Sequence, residues 1–412
     1  MKKRLSPILA IILLSLFACF SARGVGFDRI NVTAYGAVPN DGADDTAAIN
    51  TALTKGQSIY FPAGTYNYNG SMILQGSLAG KPFRFYGEGP GVSTIIFTNA
   101  SSGGINAPSM GQNSLVVEGL TLQANSSGCA TAIDATFGNG VYRAATIHNV
   151  QIKGTSTDGT NGTSWSNGIH LVGATHSVLD KVEITGNTAT TTGIWFEPPG
   201  GSPPQAATGF NMSNIQVKWC NTALRTTGHI EGVYLTGFEF TSCGRGGLPA
   251  VDLNVTTLAQ GGAFHLVNGT IDMIGDGLVL TKPSFAKISN VRFVHNAPGA
   301  TVSNMLKISD GFNVTVSQCS FYGGDANGPG ENGITGLNTT SLQLNGNNFN
   351  HMLAPGLGTG VVVWGECPGL RITDNLFTDF GHGQYWVAVT GTPAPYYCGN
   401  YPSTSNVCGN NP

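Results

Sequence analysis

Gly168-Ile169-His170-Leu171, Gly193-Ile194-Trp195-Phe196, Ala223-Leu224-Arg225-Thr226 and Ala250-Val251-Asp252-Leu253 share one plan. A small residue leads, an apolar one follows, the third position varies, and a fourth residue closes the set. The plan continues in Gly277-Leu278-Val279-Leu280, Met305-Leu306-Lys307-Ile308, Gly333-Ile334-Thr335-Gly336 and Gly360-Val361-Val362-Val363, with successive starts 25 to 30 residues apart. Each start is followed by a second alternating run, as in Val178-Leu179-Asp180-Lys181-Val182-Glu183-Ile184, Ile288-Ser289-Asn290-Val291-Arg292-Phe293 and 370–377. A fixed period of this length, carried by strands and not by a helical pattern, specifies a solenoid. Short strands separated by Asn, Gly and Asp turns specify a parallel β-helix. Side chains alternate along a strand, so the third position of every start faces outward.

The composition agrees. Charged residues make up 10% of the chain, against roughly a quarter in ordinary globular proteins, and the 59 glycines are about twice the usual share. Helical surfaces usually carry many Lys and Glu, whereas Gly, Asn, Thr and Ser favour turns and strands. A length of 412 residues would ordinarily suggest more than one domain. A solenoid escapes that count because each repeat contacts only its neighbours. The net charge of -3 leaves no basic footprint, which argues against a nucleic-acid partner.

Residues 1–24 read as a signal peptide. Lys2, Lys3 and Arg4 precede a short apolar run from Ile8 to Phe17, and Ala22-Arg23-Gly24 follows as a cleavage site. That run is too short to span a membrane, and no later one is long enough. Leu16-Phe17-Ala18-Cys19 is an alternative lipid-anchoring site. Either reading places the protein outside the cytoplasm. Residues 25–412 are then one β-helix domain: a cap and first coils over 25–98, coils over 99–390 and a tail over 391–412.

Eight cysteines, one of them in the leader, leave an odd number in the mature chain. Cys398 and Cys408 could close a loop in the tail. Cys220 and Cys243 fall at the same place in neighbouring coils, where a disulfide and a pair of stacked thiols both fit the strand spacing of about 4.8 Å. Cys319 shares the column of Val291 and is expected to be a buried free thiol.

Residues 29–66 contain Ile30-Asn31-Val32-Thr33-Ala34-Tyr35-Gly36, then Asp41-Gly42-Ala43-Asp44-Asp45-Thr46-Ala47-Ala48-Ile49-Asn50, then Ile59-Tyr60-Phe61-Pro62-Ala63-Gly64-Thr65-Tyr66. They predict a strand, a turn, a short helix and a strand. Asp44 and Asp45 stand where a helix N-terminus wants acceptors and negative charge. Ala48, Ile49, Ala52 and Leu53 give that helix one apolar face, suited to capping the open end of a solenoid. Asp41, Asp44 and Asp45 could also be read as a metal or catalytic cluster.

This stretch resembles the opening of the pectate lyase superfamily domain, shared by polygalacturonase-like enzymes and phage tailspikes. The resemblance is specific over about residues 29–98 and implies an all-β, right-handed parallel β-helix acting on polysaccharides. It does not bring a catalytic set with it. Polygalacturonases carry Asn-Thr-Asp, Asp-Asp, Gly-His-Gly and Arg-Ile-Lys on nearby coils. Here Asp-Asp occurs only in the cap, and Gly381-His382-Gly383, near Asp374 and Asp379, has no Arg-Ile-Lys after it. No acidic cluster outside the cap suggests a calcium site, and no metal or cofactor is expected.

The outward column offers a better candidate. Over four coils it reads His170, Trp195, Arg225, Asp252, with Glu197 on the same face two residues past Trp195; then it becomes Val279, Lys307, Thr335 and Val362. Asp252, Glu197 and His170 are the catalytic candidates, and Trp195 and Arg225 the substrate-binding ones. Glycoside hydrolysis needs two carboxyl groups, one to donate a proton and one to activate water or attack. An Arg fork suits a uronate carboxylate, and a Trp face suits a sugar ring. If the reaction is β-elimination, Arg225 or His170 is the base. The plain alternatives are a surface salt bridge between Arg225 and Asp252, a solvated His170 and a Trp195 covered by the insertion 198–205. Asp276 and Asp325 are further acids. Three functions remain open: a hydrolase of acidic polysaccharide, a polysaccharide lyase and a non-catalytic polysaccharide-binding protein. The oligomeric state is not legible.

Overall fold

The computed structural model describes residues 29–74, 82–99, 101–138, 144–200, 206–255, 262–295, 304–323, 332–352, 359–380, 385–390, 396–398 and 409–410. The leader with Cys19, Asp325, Gly381-His382-Gly383 and the Cys398–Cys408 pairing lie outside what it describes. The fold is an all-β, right-handed parallel solenoid of about 11 turns. No helix among the described residues is long and apolar enough to cross a membrane.

Two sheets run along the axis, a narrow one of 12 strands and a broad one of 20. In the narrow sheet the repeated starts pair one for one. Ile169, Ile194, Leu224, Val251, Leu278, Leu306, Ile334 and Val361 form a single inward column, every member of it fully buried. Each such side chain contributes about 1.5–3 kcal/mol on burial. One short coil has nothing to bury it against, so stability belongs to the stack.

In the middle of the stack the strands of the broad sheet are longer, and a row of residues at positive φ bends them at one level. Asn149, Lys181, Asn214, Gly237, Asn268 and Asn290 hold φ between 52° and 62°. The pairing passes over this position, with His148 opposite Asp180 and then Val150 opposite Val182. Asn and Gly reach the left-handed region at low cost, so the strand turns there without losing its ladder. Lys181 holds the same conformation without that advantage.

The interior is regular toward the C-terminal end. Phe293, Phe321, Phe349 and Phe377 stack with ring centroids 4.7 to 4.8 Å apart, the strand spacing itself. Beside them Asn347 Oδ1 accepts from the Cys319 N–H at 3.0 Å, and Asn347 Nδ2 donates to Asn375 Oδ1 at 2.9 Å and to the Val316 carbonyl at 3.0 Å. These buried amides join successive coils from inside.

Two expectations are corrected. The helix, Thr46–Leu53, does bury Ile49 and Ala52, but Ile30–Asn31 already pairs with Ser58–Tyr60. In chain order it therefore falls between two strands of the solenoid and not before the first of them. Asp45 does not cap it through its side chain; its carboxylate accepts from the backbone N–H groups of Val38 and Asn67 at 2.8 and 3.1 Å, tying the preceding turn to Gly64–Tyr68. Asp44 accepts from the Thr46 N–H and Asp41 from that of Ala43. Local structure thus occupies all three aspartates, and no metal-binding group of three or more His, Cys, Asp or Glu occurs among the described residues.

The second correction concerns sulfur. Cys220 and Cys243 are buried free cysteines, as is Cys319. Burial pushes the Cys220 thiol well above its usual range and that of Cys243 up to about 12. Both are packing residues, not a cross-link.

Candidate functional site on the narrow sheet

The outward column falls in the expected register. His170 neighbours Trp195, Trp195 neighbours Arg225, and Arg225 neighbours Asp252; Val279, Lys307, Thr335 and Val362 follow. The column also extends backward to Asp134, which pairs with His170.

His170 is the centre of the arrangement. Its Nδ1 lies 3.0 Å from Asp134 Oδ1 and its Nε2 3.1 Å from Glu197 Oε2, so one imidazole joins two carboxylates. Its side chain is only 16% exposed, far from a solvated surface histidine. Burial by itself depresses the imidazole, but the hydrogen bonds and charge of Asp134 and Glu197 together outweigh it and raise the pKa above 6.5. A protonated ring donates from both nitrogens, as this geometry requires.

Trp195 stacks on His170 with centroids 4.3 Å apart. From the next coil the Arg225 guanidinium lies 5.4 Å from the indole centroid, within cation–π range. Both ring faces are thereby occupied, and the part of Trp195 left for a sugar is its edge. Its indole N–H donates to Thr227 Oγ1 at 3.2 Å, and that hydroxyl donates to Glu197 Oε1 at 3.1 Å. Glu197 is thus held from both sides, by His170 and by Thr227.

Arg225 Nε stands 4.0 Å from Asp252 Oδ2, too long for a hydrogen bond, and this buried nitrogen has no hydrogen-bond partner. The two charges form a long ion pair without a hydrogen bond. Burial raises the Asp252 pKa above 3.8, and Arg225 offsets only part of that. At the edge of the column Pro198 packs against Gly228 and Pro199 against Gly173, one on each neighbouring coil. The start of the insertion is therefore anchored beside Glu197; residues 201–205 lie outside the described ones.

The remaining acid, Asp276, accepts from the Asn304 N–H at 2.9 Å, a structural bond within the coil stack. Asp374 takes a positive-φ position, φ 56°, in the row of bends. Two large clefts, of about 590 and 460 Å³, lie on the broad sheet and not over the column.

Residues 29–248 match the family model described as rhamnogalacturonase A/epimerase, pectate lyase-like. The chain belongs to this family. The matched region takes in the column from Asp134 to Arg225 and stops four residues short of Asp252. Family membership does not place an Asp-Asp pair on the column, since Asp44 and Asp45 are bound up in the first coil. No curated protein matches the chain. Among solved structures, the N-terminal fragment of bacteriophage Phi29 gene product 12 is similar with a TM-score of 0.55 at 14% identity, over 95% of this chain and 69% of that one. The catalytic unit of the thermostable GH87 α-1,3-glucanase from Streptomyces thermodiastaticus strain HF3-3 is similar with a TM-score of 0.53 at 13% identity, over 93% and 70%. At such identities these likenesses speak for the pectate lyase-like fold alone.

Proposed function

We propose that the protein is an exported glycoside hydrolase that cleaves an acidic polysaccharide lying along the outer face of the narrow sheet. The observation that carries this is a pair of carboxyl groups in contrasting environments on one strip. Asp252 is half-buried, its pKa is raised by that burial, and it faces the Arg225 cation at 4.0 Å without a hydrogen bond. Glu197 is held by the hydrogen bonds of His170 and Thr227. The raised carboxyl of Asp252 suits the acid, and the positioned carboxylate of Glu197 suits the base.

In this reading Asp252 protonates the leaving glycosidic oxygen, and Glu197 takes a proton from the water that attacks the anomeric carbon. The two residues sit two coils apart, so their backbones are separated by roughly 10 Å at the strand spacing. Side-chain reach brings the carboxyls toward the inverting range of about 6.5–9.5 Å, leaving room for the water. Arg225 is placed to take a uronate carboxylate, and His170 with Asp134 orients Glu197. Descent from the family and a GH87 catalytic unit with the same fold support an activity on polysaccharide; the leader supports export.

One observation favours a second reading. The unpartnered Nε–H of Arg225 leaves that guanidinium a donor to spare for a uronate carboxylate, whose neutralisation acidifies the neighbouring ring proton and, with a carboxylate of the strip taking that proton, would make the protein a lyase. Incubating the purified mature protein with neutral and acidic polysaccharides separates the two. New reducing ends without ultraviolet absorbance of unsaturated uronates are expected. Both signals together would replace the hydrolase with the lyase, and neither signal would leave a binding protein.

A further inference from the structure

The bend of the broad sheet carries a feature that the column does not use. A cleft of about 590 Å³ runs along it, within the size range of ligand sites. Its floor is one inward column, Ile215, Phe238, Gly269 and Val291, in consecutive register. One wall is the row of positive-φ bend residues, which includes Asn214, Asn268 and Asn290. The other is the outward column Gln216, Glu239, Thr270, Arg292 and Ser320.

Two glycines lie at its middle. Gly237 contributes no side chain to the first wall. At Gly269 an added Cβ would stand 2.2 Å from the Phe238 ring, so that ring lies where a side chain would otherwise fill the floor. Phe238 itself is 5% exposed, and the accessible lining is polar.

We propose that this trough binds an uncharged, extended glycan at a site separate from the His170 column. Glu239 and Arg292 are the charged lining residues; they are opposite in sign and flank Thr270, so the trough is neutral as a whole. The rest of the polar lining is amide and hydroxyl, which donates and accepts alike, as sugar hydroxyls require. Each coil advances by about 4.8 Å, close to the length of one pyranose ring along an extended chain, so every coil presents a polar group to a successive sugar. Part of the lining is already ordered: Asn290 Nδ2 donates to Asn268 Oδ1 at 2.8 Å and Thr241 Oγ1 donates to Glu239 Oε1 at 3.2 Å. Such preorganisation lowers the entropic cost of binding. A nucleic acid would need net positive charge. A protein partner would need more accessible apolar surface at the centre than Phe238 offers. An uncharged chain bound here anchors the protein on one polysaccharide while the narrow sheet stays open to another.

Native affinity electrophoresis of the whole protein through gels containing hydroxyethyl cellulose, soluble starch or dextran tests the site. Wild type is expected to be retarded in at least one gel, and His170→Gln equally so. Thr270→Trp, which fills the middle of the trough, and the double variant Gln216→Ala/Arg292→Ala should each weaken the retardation at least about fivefold, the effect of one lost hydrogen bond, with unchanged melting temperatures. Three results overturn the proposal: no retardation of wild type in any gel, full retardation of both trough variants, or a change in sedimentation mass with those variants, which would make the trough a contact between copies.

Discussion

The two halves of the narrow sheet follow one plan and differ in what they display. From Asp134 to Asp252 the outer column presents five polar or aromatic side chains in succession, four of them able to carry charge. From Val279 to Val362 it consists of two valines, a lysine and a threonine, and Thr335 and Val362 are buried. Coil length differs too. Measured along this column, coils run from 25 to 36 residues in the first half and are 27 or 28 in every coil of the second. Inside, the order reverses: the second half carries the phenylalanine stack and the Asn347–Asn375 ladder. Alternation along a strand lets the two faces vary independently. The regular half stabilises by repetition, and the irregular half keeps its inward column while its outer face and loops diversify.

The largest expected effect breaks that comparison at the level of chemistry. Glu197→Gln and Asp252→Asn should each lower the initial rate of reducing-end release by about 10²–10⁴-fold, the range of general acid–base catalysis. Lys307→Met, at an equivalent position in the regular half, should stay within about twofold, as surface changes do. A comparable loss there would erase the distinction.

Stability should divide the other way. Phe321→Ala, in the middle of the stack, is expected to cost about 3–5 kcal/mol in denaturant unfolding, with turnover per folded molecule unchanged. A cost under about 1 kcal/mol would mean that the stack does not hold that half together. Asn347→Leu leaves the Cys319 N–H and the Val316 carbonyl without this partner and should cost about 1–3 kcal/mol on the same measurement.

The smallest effect is a pH dependence at His170. Its folded pKa is raised, so its stabilising contribution is complete below about 6.5, the unfolded value, and is lost as pH rises through the folded value. The stability difference between wild type and His170→Gln should therefore shrink across that interval. Asp134→Asn removes one of the two carboxylates responsible, so the imidazole titration followed by NMR should move down. An unmoved titration would remove Asp134 from the arrangement.

The inward column and the outward one from His170 to Val362 were legible in the sequence because both follow from the period and from alternation. Asp134 was not found, although Ala132-Ile133-Asp134-Ala135 has the same small–apolar–variable–apolar form. The coil that follows it is 36 residues long, outside the spacing by which the other starts were aligned; most of its excess over the next coil lies between Lys153 and His170. Thr227 gave no signal, since its importance comes from standing between two side chains of another coil. The bend at Lys181 was hidden inside an apparently continuous alternating run. The disulfide alternative for Cys220 and Cys243 could not be decided by spacing, because two stacked thiols satisfy the same geometry. Trp195 was recognisable as outward-facing, but only the coordinates place His170 and Arg225 on its two faces.

The most direct test is a crystal structure of the Glu197→Gln variant with an oligosaccharide of whichever acidic polysaccharide the wild type degrades. A glycosidic oxygen is expected within about 2.6–3.2 Å of the Asp252 carboxyl, with a uronate carboxylate toward Arg225. Sugar seated over Lys307 and Thr335, or only in the trough of the broad sheet, would contradict the placement of the chemistry in the irregular half.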